Sequence, residues 1–124
     1  MPSSVRAGSS SSSAVALLDR DEVIGDLRRA ALRLLADPEV VEVRLFGSLA
    51  RGDATAASDA DLLVVVRAAS QAPHLRSAPF ALRLRPTPVP VDLLVKTSAE
   101  LAELTAGRDP FWLRALAGSV RLAP

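Results

Sequence analysis

LFGSLARGDATAASDADLLVVV, residues Leu45–Val66, joins two apolar runs through a polar loop. A Gly-Ser pair follows the first run, the loop carries one arginine, and two aspartates separated by one alanine introduce the second run. Short apolar runs bounded by turn residues are typical of buried strands. The stretch therefore predicts a strand, an anion-binding loop, a carboxylate pair and a second strand.

The aspartate pair, Asp59 and Asp61, is the sharpest chemical feature. In extended chain, side chains two residues apart share a face, with Cα atoms about 7 Å apart. Two like charges at this separation raise the pKa of at least one carboxyl group unless a cation lies between them. Magnesium, which prefers oxygen ligands, is the simplest such cation. Taken alone, a D-x-D pair is equally well explained as the polar edge of a strand.

The turn before the pair has the residue types of a phosphate-binding loop. Gly47 directly follows the run VVEVRLF and lets the backbone approach a ligand closely. Ser48 offers a hydroxyl group and, if a helical turn begins there, free N–H groups directed at an anion. Arg51 adds a planar guanidinium group that suits phosphate oxygens. Together these residues predict a triphosphate cradle beside a metal-binding carboxylate pair.

The combined pattern of Gly47-Ser48, ten residues, and then Asp59 and Asp61 resembles the signature of the DNA polymerase beta-like nucleotidyltransferases. The fuller string is most similar to the minimal nucleotidyltransferases, which are often paired as antitoxins with HEPN-domain toxins. The resemblance covers about residues 40–95. It implies magnesium-dependent transfer of a nucleoside monophosphate, most readily AMP from ATP, to an acceptor hydroxyl group. It also implies two metal ions and a third carboxylate on a neighbouring strand.

Asp92, within VPVDLLVK, is the candidate for this third carboxylate. Aspartate is uncommon inside strands and is costly to bury without a partner. Without the resemblance, an ordinary polar residue at the end of a strand would explain it better. The resemblance implies catalytic and metal-binding roles for three carboxylates and nucleotide-binding roles for three loop residues: Asp59, Asp61 and Asp92, and Gly47, Ser48 and Arg51.

The acceptor implied by the resemblance is a hydroxyl group, typically of tyrosine, on a HEPN-type partner whose ribonuclease activity is thereby silenced. Larger relatives bind small-molecule acceptors on a helical second domain, for which we expect a chain of 124 residues to have no room. Two alternatives stay open: a non-catalytic antitoxin, and a nucleotide-binding module that acts by occluding its partner.

Composition limits the remaining classes of function. A hydrophobic content of 49% predicts one globular domain, over residues 17–124, after a flexible serine-rich tail at residues 1–16. With 15 basic and 14 acidic residues, a broad nucleic-acid surface is not expected. The absence of cysteine excludes disulfides and thiolate metal sites. No apolar run is long enough to cross a membrane, so we expect a cytoplasmic protein.

Hydrophobic periodicity predicts a small α/β (α+β) domain, with a mixed sheet of three to five strands and helices mainly on one face. The resemblance implies that this domain has the polymerase beta-like nucleotidyltransferase fold. Residues 67–90 are ambiguous, because a helix from about His74 to Leu84 and an edge strand in ALRLR both fit. The carboxylate-bearing face also presents Leu63, Val65 and Leu94. With few helices to cover this face, we expect a partner or a second copy of the chain to cover part of it.

Overall fold

A mixed β-sheet forms the centre of the computed structural model, which describes residues 19–53 and 59–124. Within these ranges the sheet has four strands: β1 (Val40–Phe46), β2 (Ala60–Val66), β3 (Val91–Thr97) and β4 (Val120–Ala123). Their order is β3-β2-β1-β4; β1 is antiparallel to β2 and β4, whereas β2 and β3 are parallel. Residues 62–66 of β2 are all buried, because the strand lies between β1 and β3 and both its faces are covered.

Five α-helices accompany the sheet in the same ranges: α1 (Arg20–Leu34), α2 (Gly47–Arg51), α3 (Ser77–Leu84), α4 (Ser98–Ala106) and α5 (Pro110–Ala117). Among them, none combines the length and the apolar character needed to span a bilayer. The predicted α/β fold class, with a small mixed sheet, is confirmed. The predicted serine-rich tail lies outside the described residues.

One face of the sheet carries the larger core. Helix α1 begins where the carboxylate of Asp19 accepts a hydrogen bond from the backbone N–H of Glu22 at 3.1 Å. Its apolar stripe is buried and packs against the sheet together with α3. The ambiguous segment is helical over α3 because Phe80, Ala81 and Leu84 face this core at helical spacing, whereas Leu82 is 65% exposed.

The opposite face is covered by α4 and α5 of the same chain, so the helices are divided between both faces of the sheet. Helix α4 begins with a capping box, and α5 begins at Asp109, whose carboxylate accepts hydrogen bonds from two backbone N–H groups. Trp112 of α5 joins Phe46, Leu63 and Val65 in a second core cluster. Two short capped helices therefore cover Leu63 and Val65 within the chain, whereas Leu94 on the same face is 37% exposed. That a partner or a second copy covers part of this face stays a prediction.

Candidate active site

The parallel pairing of β2 with β3 brings two predicted carboxylates together. Asp61, the second residue of β2, is in register with Asp92, the second residue of β3. Paired residues on adjacent strands lie about 5 Å apart and direct their side chains to the same face of the sheet. Asp61 is half-buried and Asp92 is exposed. Two carboxylates thus lie side by side at one end of the sheet, on the face covered by α5.

Gly47 lies directly against this pair. Its φ of +78° is in the left-handed region, which L-residues rarely adopt. A Cβ atom at this position would lie 2.3 Å from Oδ2 of Asp61. The missing side chain therefore makes room for the Asp61 carboxylate to pack on the backbone, which explains why glycine is needed at the first residue of α2.

Helix α2 is held in place by contacts at its C-terminal end. Gly52, with φ of +87°, donates its backbone N–H to the carbonyl of Ser48 at 3.0 Å. From α1, the guanidinium group of Arg20 donates to the carbonyls of Leu49 at 3.0 Å and Ala50 at 2.7 Å. These bonds occupy carbonyls that would otherwise lack helical partners, and they fix the position of the turn relative to the sheet.

A cavity of about 780 Å³ lies between this end of the sheet and α5. Its volume is in the range of small-molecule sites. The lining combines two carboxylates, two guanidinium groups, apolar side chains and glycine: Asp61, Asp92, Arg51, Arg114, Phe46, Leu94, Phe111, Ala115, Ala117, Gly47 and Gly118. The cavity therefore offers opposite charges and an apolar wall within one site.

The pKa of Asp61 lies above the usual value for an aspartate. Burial is the largest cause, followed by the negative charges of Asp92 and Asp59, while the positive charge of Arg51 acts in the opposite direction. A cation bound between the carboxylates would relieve this unfavourable interaction. The site is thus electrostatically suited to a positive ion.

The two carboxylates fit a magnesium ion whose remaining coordination positions are filled by water and by substrate phosphates. In the described part of the chain, no three or more His, Cys, Asp or Glu side chains form a ready-made metal site. Magnesium commonly keeps several waters and uses one or two protein carboxylates together with substrate phosphates. Asp61 and Asp92 supply such a pair of oxygen donors.

The structure brings together four of the six predicted site residues, since Gly47, Arg51, Asp61 and Asp92 line one cavity. Asp59 precedes β2, is exposed and borders residues 54–58, which are not described. Its charge nevertheless reaches Asp61. The side chain of Ser48 is half-buried and is not among the groups that line the cavity. The proposed roles of all six residues stay predictions.

Sequence reasoning missed the contribution of α5. Phe111 and Arg114 line the cavity, together with Ala115 and Gly118. The spacing of these four residues places them along one stripe of a helix. This stripe is visible in the sequence, but only the fold shows that it faces the carboxylates.

Comparisons with known proteins identify the family. A family model described as "Nucleotidyltransferase domain" matches residues 26–111. The fold is similar to the crystal structure of a "putative nucleotidyltransferase" from Sulfolobus solfataricus, with a TM-score of 0.55 and 24% sequence identity over 68% of this chain and 75% of that chain. A comparison with curated proteins finds no match. Since the family model covers more than half of the chain, the protein belongs to the nucleotidyltransferase domain family.

Proposed function

We propose that this protein transfers AMP from ATP to a hydroxyl group of a HEPN-type toxin and thereby neutralises the toxin. Membership of the family supports the transfer of a nucleoside monophosphate in general. One observation carries the proposal to this site: Asp61 and Asp92 lie in register on parallel strands, beside a glycine turn and within a cavity of about 780 Å³. Donor base, acceptor and partner go beyond this observation and follow the resemblance of the sequence.

In this proposal, Asp59, Asp61 and Asp92 hold two magnesium ions. When bound, such ions neutralise the triphosphate and lower the pKa of the acceptor hydroxyl group. Asp61 and Asp92 supply oxygen donors from adjacent strands, and the charge of Asp59, two residues before Asp61, reaches Asp61. The backbone at Gly47 lets the β- and γ-phosphates approach closely, with Ser48 and Arg51 as their further partners.

The reaction is a substitution at the α-phosphorus atom of ATP. The acceptor oxygen forms a bond to this atom, the bond to the bridging oxygen of the β-phosphate breaks, and pyrophosphate leaves. Asp92, whose side chain is exposed at the cavity, is our candidate for accepting the hydroxyl proton. No covalent enzyme intermediate is required, because positioning and charge stabilisation supply most of the rate enhancement.

The acceptor in this proposal comes from another protein. The described residues form one domain around one sheet and include no separate acceptor-binding domain. A side-chain hydroxyl group that a partner inserts into the cavity satisfies the same chemistry as a small-molecule acceptor.

Intact mass spectrometry of a co-expressed HEPN-type partner, incubated with ATP and magnesium, tests the proposal. We expect the partner to gain one or more AMP units, and Asp61→Asn and Asp92→Asn to abolish the gain. Asp26→Asn is the matched control, because Asp26 is a surface carboxylate of α1 on the other face of the sheet. An unmodified partner, recovered in a tight complex with wild-type protein, would contradict the proposal.

A second candidate function is a non-catalytic antitoxin that binds and occludes the toxin. It is favoured by one observation: Leu94 and Phe111, which both line the cavity, are exposed large apolar side chains of the kind that a partner covers. An Asp59→Asn, Asp61→Asn double variant that still protects cells fully from the toxin would support this candidate. Loss of protection, with the complex still intact, would support transfer.

A further inference from the structure

Helix α5 contributes a wall of the cavity that the reaction above does not use. Phe111 lies near its start and Arg114 one turn later, and both line the cavity. Residues three apart on a helix have Cβ atoms about 5–6 Å apart on one face. This spacing is of the same order as the separation between a nucleobase and its first phosphate. The spacing of Phe111 and Arg114 therefore allows one nucleotide to contact the aromatic ring with its base and the guanidinium group with a phosphate.

The ring of Phe111 is fixed although it is 51% exposed. It makes edge-to-face contacts with Trp112, at a centroid distance of 5.2 Å, and with Phe46, at 6.3 Å. Trp112 is itself buried in the second core cluster, so it anchors this side of the helix. The exposed part of the Phe111 ring contributes to the cavity wall, where a flat ligand can cover it.

The positive charge of Arg114 is a second feature of the cavity wall. Arg114 is exposed, and among the described residues it forms neither an ion pair nor a side-chain hydrogen bond. Arg51 lowers the pKa of Asp61, but Arg114 is not among the groups that shift this pKa. The guanidinium group of Arg114 is thus available to an anion that enters the cavity.

The C-terminal end of α5 is tied to β1. Ser119, just beyond the helix, accepts a hydrogen bond from the guanidinium group of Arg44 at 2.9 Å and donates one to the carbonyl of Leu116 at 2.7 Å. With the buried Trp112 on one side of the helix and this bond at its end, the cavity-facing stripe has a fixed orientation. A preorganised wall of this kind binds a ligand at a lower cost in conformational entropy.

We infer that α5 is the nucleotide-recognition element of the site, in which Phe111 stacks on the nucleobase and Arg114 binds a phosphate of the same nucleoside triphosphate. The inference rests on the proposed function for the identity of the ligand as an NTP. Among the described lining side chains, none is an amide or a hydroxyl that reads the edge of a base. Selection by stacking favours the larger purine rings over pyrimidines and discriminates little between adenine and guanine.

Calorimetric titration with magnesium and ATP, UTP or tripolyphosphate tests the inference without any acceptor. Phe111→Leu keeps an apolar side chain of similar size but removes the aromatic face. We expect it to weaken ATP binding by about fivefold or more and to leave tripolyphosphate binding unchanged. Arg114→Ala should weaken both ligands. Wild-type protein should bind UTP more weakly than ATP.

Two matched controls lie on the other side of the sheet. Leu82→Ala removes an exposed apolar side chain of α3, and Arg28→Ala removes an exposed arginine of α1. Both should bind ATP as wild type does. Unchanged ATP affinity in Phe111→Leu and Arg114→Ala, or equal binding of ATP and UTP, would overturn the inference and leave the proposed function standing.

Two further outcomes separate the two proposals. If wild-type protein binds no nucleotide, both are overturned. If ATP binding depends on Phe111 and Arg114 but the partner never gains AMP, the inference holds and the proposed transfer reaction fails.

Discussion

Replacement of Gly47 by alanine separates the geometry of the site from the stability of the fold. The left-handed conformation costs a residue with a Cβ atom about 1–2 kcal/mol. The new Cβ atom would also lie 2.3 Å from Oδ2 of Asp61, whereas ordinary contacts begin at 3.4 Å. Because the carboxylate is the end of a side chain, it can move away, by about 1 Å. A displacement of this size at a catalytic group lowers a rate on the order of 100-fold.

Gly52→Ala is the matched control for this change. Gly52 has φ of +87°, so alanine suffers a similar backbone strain, but the nearest atom to its Cβ among the described residues would be Nε of Arg20 at 3.8 Å. Both variants should therefore lose about 1–2 kcal/mol of unfolding free energy. Only Gly47→Ala should lose transfer activity, because only there does the new methyl group displace Asp61.

Urea denaturation, followed by the fluorescence of the single tryptophan, measures the stability of both variants. The rate at which the partner gains AMP measures their activity. If Gly47→Ala transfers AMP at a rate within about threefold of Gly52→Ala, then the contact between residue 47 and Asp61 does not control the site, and the reasoning fails.

Three predictions concern the scaffold. Arg76 holds the pKa of Glu100 at about 2, so their interaction stabilises the fold above pH 4.5 and is lost as the pH falls towards 2. Glu100→Gln, assayed by urea denaturation, should cost about 1–2 kcal/mol at pH 7, allowing for partial exposure, and almost nothing near pH 2. Trp112→Ala should cost about 3–5 kcal/mol, measured by circular dichroism because the fluorophore is lost. Gly25→Ala lies inside α1, where the nearest described atom to the new Cβ is 3.9 Å away, and it should raise the free energy of unfolding, measured by urea denaturation, by about 0.5–1 kcal/mol.

Local signals in the sequence were sufficient for most of the secondary structure. The first strand has the predicted bounds, Val40–Phe46. The capping-box spacing of Thr97 and Glu100 and the pair Asp109-Pro110 each predict the start of a helix from the sequence alone, and the structure confirms both. These predictions are correct because a helix cap and a β-branched run determine local structure through residues only a few positions apart. The segment Arg67–Pro90 was ambiguous because its prolines suppress periodicity, and burial against α1 selected the helix.

The residues that line the cavity were harder to predict from the sequence. Gly47, Arg51 and Asp61 belong to one continuous stretch, and the antiparallel pairing of Phe46 with Asp61 brings the start of α2 close to the carboxylate. Phe111 and Arg114 are at least 50 residues later in the chain, and their positions depend on how α4 and α5 fold back over the sheet. The packing that brings them to the carboxylates, through Trp112, has no local signature.

The adjacency of Asp61 and Asp92 depends on residues 67–90, whose structure was the hardest to predict from the sequence. Parallel strands require a crossover connection, and here residues 67–90 cross the face of the sheet that carries the larger core. An edge strand within residues 67–90 would have left no crossover helix here. The parallel pairing that puts Asp92 in register with Asp61 would then have been lost. The carboxylate pair on one face thus depends on the helix packed against the other, where Leu84 of α3 is buried. Weakening that packing should therefore disturb the site although no lining residue changes.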